Sequence, residues 1–308
     1  MSLVNRQSDV LGHQPGPSGS LGRAMLRTAR PKQWTKNVLV VAAPGAAGAL
    51  GKISTIDRVA GLFLLFCLLA SGTYYLNDVL DAPADRCHPD KARRPVAAGE
   101  IPLLLAGLTG VTLVAAGVGG SAVFGWRTVV VFSAYVAVQF AYSLWLKHEP
   151  VFDLACVSSG FVLRGIVGGV ALHLPISQWF LIVATFGSML MVTGKRFAEF
   201  QQLGDDRGSH RRSLDAYSEP FLRLLIGVST AVSMTAYCLW AFEKESQTHH
   251  SGICFQLSVV PFVLALLRYA YMIETGHGSK PEDVVLSDRP LQIVGLVWLA
   301  IFALGVYA

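Results

Sequence analysis

Charge is what this sequence has least of. Only 15% of its 308 residues are Asp, Glu, Lys or Arg, where soluble domains carry about 25%. More than half of it, 53%, is hydrophobic. A chain so short of charge does not read as a soluble globular protein; it reads as a membrane protein. The five cysteines (Cys67, Cys87, Cys156, Cys238 and Cys254) form no CxxC pair and no Cys/His metal spacing, so they read as reduced packing residues. Residues 1–20 lack the apolar core and cleavage site of a secretory signal. They are polar and rich in Gly, Pro and Ser, and 1–26 is expected to be a disordered cytoplasmic tail.

What is present is a series of long apolar runs. A membrane span needs about 20 mostly apolar residues. Nine candidates stand out: 37–51, 58–80, 102–122, 128–146, 151–172, 178–194, 219–242, 254–274 and 290–308. The first is short and rich in Ala and Gly. Alternate connections differ sharply in charge. The N-terminal tail, 81–101, 147–150, 195–218 and 275–289 carry nearly all the flanking cations. Between them, 52–57, 123–127, 173–177 and 243–253 hold only Lys52, Arg127 and Lys244, with Arg58 at a span edge. Cations flanking spans stay in the cytoplasm. The N-terminus is therefore expected inside and the C-terminus outside. Adjacent His249 and His250, in an outer connection, do not share a helix face and read as exposed. Charge clusters at one side and does not continue through the outer half, which argues against a transport pathway.

One cytoplasmic connection concentrates the chemistry. "LNDVLDAPADRCHPDKARRP" (76–95) places Asn77, Asp78, Asp81 and Asp85 at the end of an apolar run, and Arg86, Lys91, Arg93 and Arg94 after them. Asn77, Asp81 and Asp85 recur every four residues, one helix face, with Asp78 one position round. Like charges so spaced persist only when something positive lies between them or water screens them. Pro83 is expected to kink or break the helix and splay the carboxylates around a pocket. Mg²⁺ takes one or two carboxylates and completes its shell with water and phosphate oxygens. The stretch therefore suits a Mg²⁺–pyrophosphate group, with the basic run on the remaining phosphate charge.

"NDVLDAPAD" resembles the NDxxDxxxD motif of the UbiA superfamily of intramembrane prenyltransferases. "RPKQWTKN" (30–37), "YSLWLKHEPVFDL" (142–154) and "GFVLRGIVGG" (160–169) are similar to other stretches of that superfamily, in the same order. The resemblance covers the chain from about Arg27 onward. It implies an all-α membrane protein in which residues 27–308 form nine transmembrane helices around a lipid-accessible cavity, with a cytoplasmic active site. It also implies Mg²⁺ held by Asn77, Asp78, Asp81 and Asp85.

Ring-prenylating members carry a second aspartate-rich motif between spans six and seven. Here that place holds "GKRFAEFQQLGDDRGSHRRSLDAYSE" (194–219). Lys195 and Arg196 precede a single carboxylate, Glu199, and Asp205, Asp206 and Asp215 follow among Arg207, Arg211 and Arg212. The "KRFAE" form resembles a phosphoribosyl-transferring branch, in which phosphoribosyl pyrophosphate is the donor and a polyprenyl phosphate the acceptor. The expected partners are those two substrates and the bilayer, with no nucleic acid. Gly-rich faces such as 165–169 permit a homo-oligomer. Asp78, Asp81, Asp85, Lys195 and Glu199 are the candidate catalytic residues. Lys32, Lys36, Asn37, Asn77, Lys91, Arg93, Arg94, Tyr142, Lys147, Arg164 and Arg196 are the candidate substrate contacts. Trp34 reads as an interfacial anchor. Arg164, alone in an apolar span, is expected to face the cavity, or else to pair with Asp153. The rival reading is a ring prenyltransferase using a prenyl pyrophosphate.

Overall fold

The computed structural model describes residues 20–88, 91–203, 216–247, 252–277, 284–285 and 287–308. Among them all regular structure is helical. A short helix α1 (Leu21–Ala29) leads into an eleven-residue 3₁₀ segment (Pro31–Val41) and a single turn α2 (Ala42–Ala46). The long helices follow: α3 (Ile53–Arg86), α4 (Leu103–Ser121), α5 (Trp126–Leu144), α6 (Phe152–Ala171), α7 (Gln178–Leu203), α8 (Glu219–Gln247), α9 (Gly252–Met272) and α10 (Arg289–Tyr307). These eight are long and apolar enough to cross a membrane. Each packs on the next in sequence, and the 3₁₀ segment packs on α3 and α6. The C-terminal ends of α3, α5 and α7 gather at one end of the bundle.

Three sequence expectations change here. Helix α1 takes in 21–26, so the expected tail overlaps an ordered helix; residues 1–19 lie outside the described residues. Pro83 neither breaks nor splays α3, which runs on to Arg86. It sits in the last turn, where its missing N–H removes one bond from a helix already propagated for more than seven turns. The first expected span, 37–51, is helical but not a continuous α-helix. Runs of 3₁₀ this long are uncommon, so something must hold this one.

Two devices hold it. In 3₁₀ geometry residues i and i+3 eclipse one another, which sorts the segment into columns. Trp34, Asn37 and Val40 form the inner column. Trp34 Nε1 donates to Ser71 Oγ at 3.0 Å, so Trp34 is tied to α3 and is more than an interfacial anchor. Asn37 and Val40 are fully buried. Lys32, Thr35 and Val38 form an exposed column. Glycine allows the approach: a Cβ on Gly168 of α6 would meet the Val40 carbonyl oxygen at 2.2 Å.

The second device is Arg164. Its Nε donates to Asn37 Oδ1 at 2.7 Å, Nη1 to the Gly160 carbonyl at 2.8 Å, and Nη2 to Tyr135 Oη at 2.7 Å. The guanidinium also lies over the rings of Phe66 and Tyr135. Asn37 Nδ2 in turn reaches Cys67 Sγ. Neither sequence expectation for Arg164 is met. It is buried against dipoles and π faces instead of opening on a cavity, while Asp153 pairs with Arg196. Asn37 is fully buried in the same network.

Breaking one partner of this network strands the other. Arg164→Ala and Asn37→Ala are each expected to destabilise the detergent-solubilised protein by about 2–3 kcal/mol. The double variant should cost clearly less than the two together, because both remove one interaction. Thermal unfolding of the four proteins checks this; additive losses would dissolve the network.

Candidate active site

The site is assembled from two halves at the end of the bundle where α3, α5 and α7 finish. The acidic half is the last two turns of α3. Asp78, Asp81 and Asp85 lie on one stripe of that helix, and each carries a cation. Asp78 Oδ1 is 2.5 Å from Arg30 Nη2, contributed by the residue between α1 and the 3₁₀ segment. Arg94 Nη1, from the α3–α4 connection, lies 2.7 Å from Asp85 and 3.5 Å from Asp78. Asp81 turns to the other flank: Oδ1 meets Lys147 Nζ at 2.7 Å and Oδ2 accepts from Asn77 Nδ2 at 3.1 Å. Asn77 Oδ1 accepts from Ser143 Oγ of α5 at 2.7 Å. Burial explains the pairing. Asp78 and Asp85 are nearly inaccessible, and unpaired carboxylates in such a place are expensive.

The basic half is the end of α7. Arg196 is buried, with Nη1 2.6 Å from Glu199 and Nε 3.3 Å from Asp153 at the start of α6. Lys195 is more exposed, and its Nζ lies 3.9 Å from Glu199. Both cations therefore flank the one carboxylate, as their three- and four-residue spacings require. Tyr217, just before α8, donates to Asp153 Oδ1 at 2.5 Å and accepts from the Val151 amide. Burial, and then the hydrogen bond to Asp153, push the Tyr217 phenol above its usual range, so it remains a protonated donor across neutral pH. It thereby fixes the carboxylate that orients Arg196.

Tyr142 joins the halves. It lies within electrostatic reach of Lys147 on one side and of Arg196, Asp153 and Glu199 on the other. It also lines a cavity of about 150 Å³ with Arg30, Tyr74, Asn77, Gln139 and Ser143. A second cavity, about 730 Å³, is almost wholly apolar. Val38 and Leu39 of the 3₁₀ segment, Phe180 of α7, Trp240 of α8, and Trp298 and Phe302 of α10 are among its walls.

Of the other expected contacts, Lys32 and Arg93 are exposed and Lys91 is half-buried. Lys36 lies over the Phe161 ring. Asp205, Asp206, Arg207, Arg211, Arg212 and Asp215 lie outside the described residues, as do His249 and His250. Sequence reasoning passed over Arg30, Asp153, Ser143 and Tyr217 as site residues. Arg30 opens a stretch already singled out, so its cation was visible. Tyr217 is 21 positions from Arg196, and no local spacing could have joined them.

The carboxylates bear on metal binding in a specific way. Among the described residues no three His, Cys, Asp or Glu side chains converge on one point. Asp78 and Asp85 do converge on one cationic atom, Arg94 Nη1. Two buried carboxylates sharing a cation position fit Mg²⁺, which needs no more than that from protein. Asn77 and Asp81, expected beside them, meet Ser143 and Lys147.

Comparison with known proteins agrees with this architecture. Residues 38–306 match the UbiA prenyltransferase family. The chain is 43% identical over 295 residues to a decaprenyl-phosphate phosphoribosyltransferase of Corynebacterium glutamicum, covering 94% of this chain and 89% of that one. It is 40% identical over 288 residues to the Mycobacterium tuberculosis protein of that name, covering 92% and 94%. The fold is similar to that of a UbiA homologue from Archaeoglobus fulgidus bound to GPP and Mg²⁺, with a TM-score of 0.69 at 16% identity over 92% of this chain and 99% of that one. A digeranylgeranylglyceryl phosphate synthase structure gives a TM-score of 0.67 at 16% identity, covering 93% and 99%. Motif, helical bundle and full-length similarity coincide: the chain is a multi-pass membrane protein and belongs to the UbiA prenyltransferase family.

Proposed function

We propose that this protein transfers the phosphoribosyl group of phosphoribosyl pyrophosphate to a polyprenyl phosphate and releases pyrophosphate. The observation that carries the reading is the basic half of the site. Lys195 and Arg196 bracket a single Glu199 where a ring prenyltransferase needs a second set of carboxylates. A site with cations in both halves suits two phosphorylated substrates. The chain-long identity to phosphoribosyltransferases supports it.

The chemistry joins a lipid phosphate oxygen to the anomeric carbon of ribose as the bond to pyrophosphate breaks. A phosphate monoester has its second pKa near about 6, so the nucleophile is already largely dianionic and no strong general base is required. Asp78 and Asp85 would hold Mg²⁺, which when bound neutralises charge on the leaving group. Arg30 and Lys147, now on carboxylates, lie close enough to take phosphate oxygens. Glu199 accepts hydrogen bonds from ribose hydroxyls, between cations that take the 5-phosphate. The apolar cavity takes the prenyl chain. Most of the rate enhancement then comes from positioning and charge stabilisation at an oxocarbenium-like centre. The cation-rich end of the bundle faces the cytoplasm, where a water-soluble donor is available.

Purified protein given labelled phosphoribosyl pyrophosphate, polyprenyl phosphate and Mg²⁺ should form a labelled lipid. Transfer from a prenyl pyrophosphate to an aromatic acid, with no phosphoribosyl transfer, would overturn the assignment. Asp78→Asn and Asp85→Asn should lower turnover roughly tenfold or more. Near-normal turnover in both would remove them from the reaction.

Lys195→Ala and Glu199→Ala should raise the KM for phosphoribosyl pyrophosphate by roughly five- to a hundredfold, the loss of one polar contact each. The KM for lipid should move little. Equal effects on both substrates would contradict the donor-side placement.

For sidedness, with the five native cysteines replaced by Ser, Arg127→Cys should react with an impermeant thiol reagent on intact cells, and Arg93→Cys only after lysis. The reverse pattern would invert the orientation.

A further inference from the structure

Arg94 occupies a place that the proposed reaction needs for something else. Among the described residues, its Nη1 is the atom on which the Asp78 and Asp85 carboxylates converge, at 3.5 and 2.7 Å. Those side chains are only 2% and 5% exposed, whereas that of Arg94 is 30% exposed. The carboxylates are sealed in and the cation is at the opening. Resting on the reading of this pair as a metal–pyrophosphate site, we propose that Arg94 is a resident counter-cation. A donor-bound metal displaces it, so that metal and pyrophosphate load together and metal alone is disfavoured.

Charge makes the argument. With Arg30 and Arg94 in place, the two carboxylates are neutralised. A lone divalent cation entering between them must expel a guanidinium and then sit a few ångströms from it. That repulsion is strong in a site shielded from water. A metal arriving on a pyrophosphate brings its own negative charge, and the expelled guanidinium gains phosphate oxygens as partners. One pairing is exchanged for another, and no buried charge is left bare.

The connection is built to let the side chain move without its backbone. Arg86 Nε donates to the Ala97 carbonyl at 3.3 Å. Arg27 of α1 pairs with Glu100. The Ala98 amide bonds the Arg94 carbonyl at 2.8 Å. Pro95, Val96 and Ala97 are buried. On the other side the Arg94 amide bonds the Lys91 carbonyl at 2.9 Å, so the loop is fastened before and after Arg94 by contacts that do not involve its guanidinium. Asp78 has Arg30 as a second partner, at 2.5 Å.

Binding of Mn²⁺ alone, followed in detergent by the electron paramagnetic resonance of the free ion, tests this without turnover. Arg94→Gln should bind Mn²⁺ roughly tenfold more tightly than the wild type in the absence of donor. Its affinity for phosphoribosyl pyrophosphate should fall. A merely structural Arg94 would weaken both. Arg94→Lys, which keeps the charge and guards against a folding defect, should retain weak Mn²⁺ binding like the wild type. Mn²⁺ binding no tighter in Arg94→Gln than in the wild type, yet abolished by Asp85→Asn, would overturn the counter-cation and leave the metal site standing. Binding in Arg94→Gln that survives both Asp78→Asn and Asp85→Asn would overturn the metal-site reading and this inference with it.

Discussion

A guanidinium buried among apolar helices is the constraint on which much else rests. The charge of Arg164 is spread over an amide oxygen, a backbone carbonyl, a phenol and two aromatic faces. In a membrane interior such an arrangement is worth having only if it fixes a geometry. What it fixes is the 3₁₀ segment. Through Asn37 it sets that segment's rotation against α5 and α6, and Gly168 sets its distance. The segment begins beside Arg30, which meets Asp78, and its other faces line the apolar cavity. One buried cation thus holds the polar site and the greasy cavity in a common frame.

The second organising fact is local neutrality. Each carboxylate at the end of α3 has a cation from a different part of the chain: the α1 junction, the α3–α4 connection and the α5–α6 connection. The basic half repeats the pattern, with Arg196 shared between α6 and α7 carboxylates. Apart from Lys195, whose Glu199 is on the same helix, each of these cations is also a strap between elements. Substrates that carry phosphate and metal can replace these pairings charge for charge, which lets a site be tightly folded and still admit highly charged ligands.

How much of this was legible depended on the range over which each signal acts. The eight regular helices follow from apolar run length, since each stretch answers to the same local rule. The Lys195–Glu199 and Arg196–Glu199 contacts follow from helical spacing alone. Asn77, Asp78, Asp81 and Asp85 were visible as a cluster, but their partners were not, because Arg30, Arg94 and Lys147 come from connections whose folding is tertiary. Arg164 was correctly marked as unusual. Its role was misjudged because an arginine satisfied by dipoles leaves no opposite charge in the sequence to find. The 3₁₀ segment was hidden for a different reason: apolar run length marks a candidate span but does not distinguish a 3₁₀ helix from an α-helix.

That change of helix type has a consequence for length. A 3₁₀ helix rises about 2.0 Å per residue against about 1.5 Å in an α-helix. Laid end to end, Pro31–Val41 and Ala42–Ala46 extend ~30 Å, where an α-helix of the same residues would extend ~24 Å. Tighter winding thus carries the same residues about a quarter further than an α-helix would, so the stretch reaches from the polar site at Arg30 to the wall of the apolar cavity with few residues.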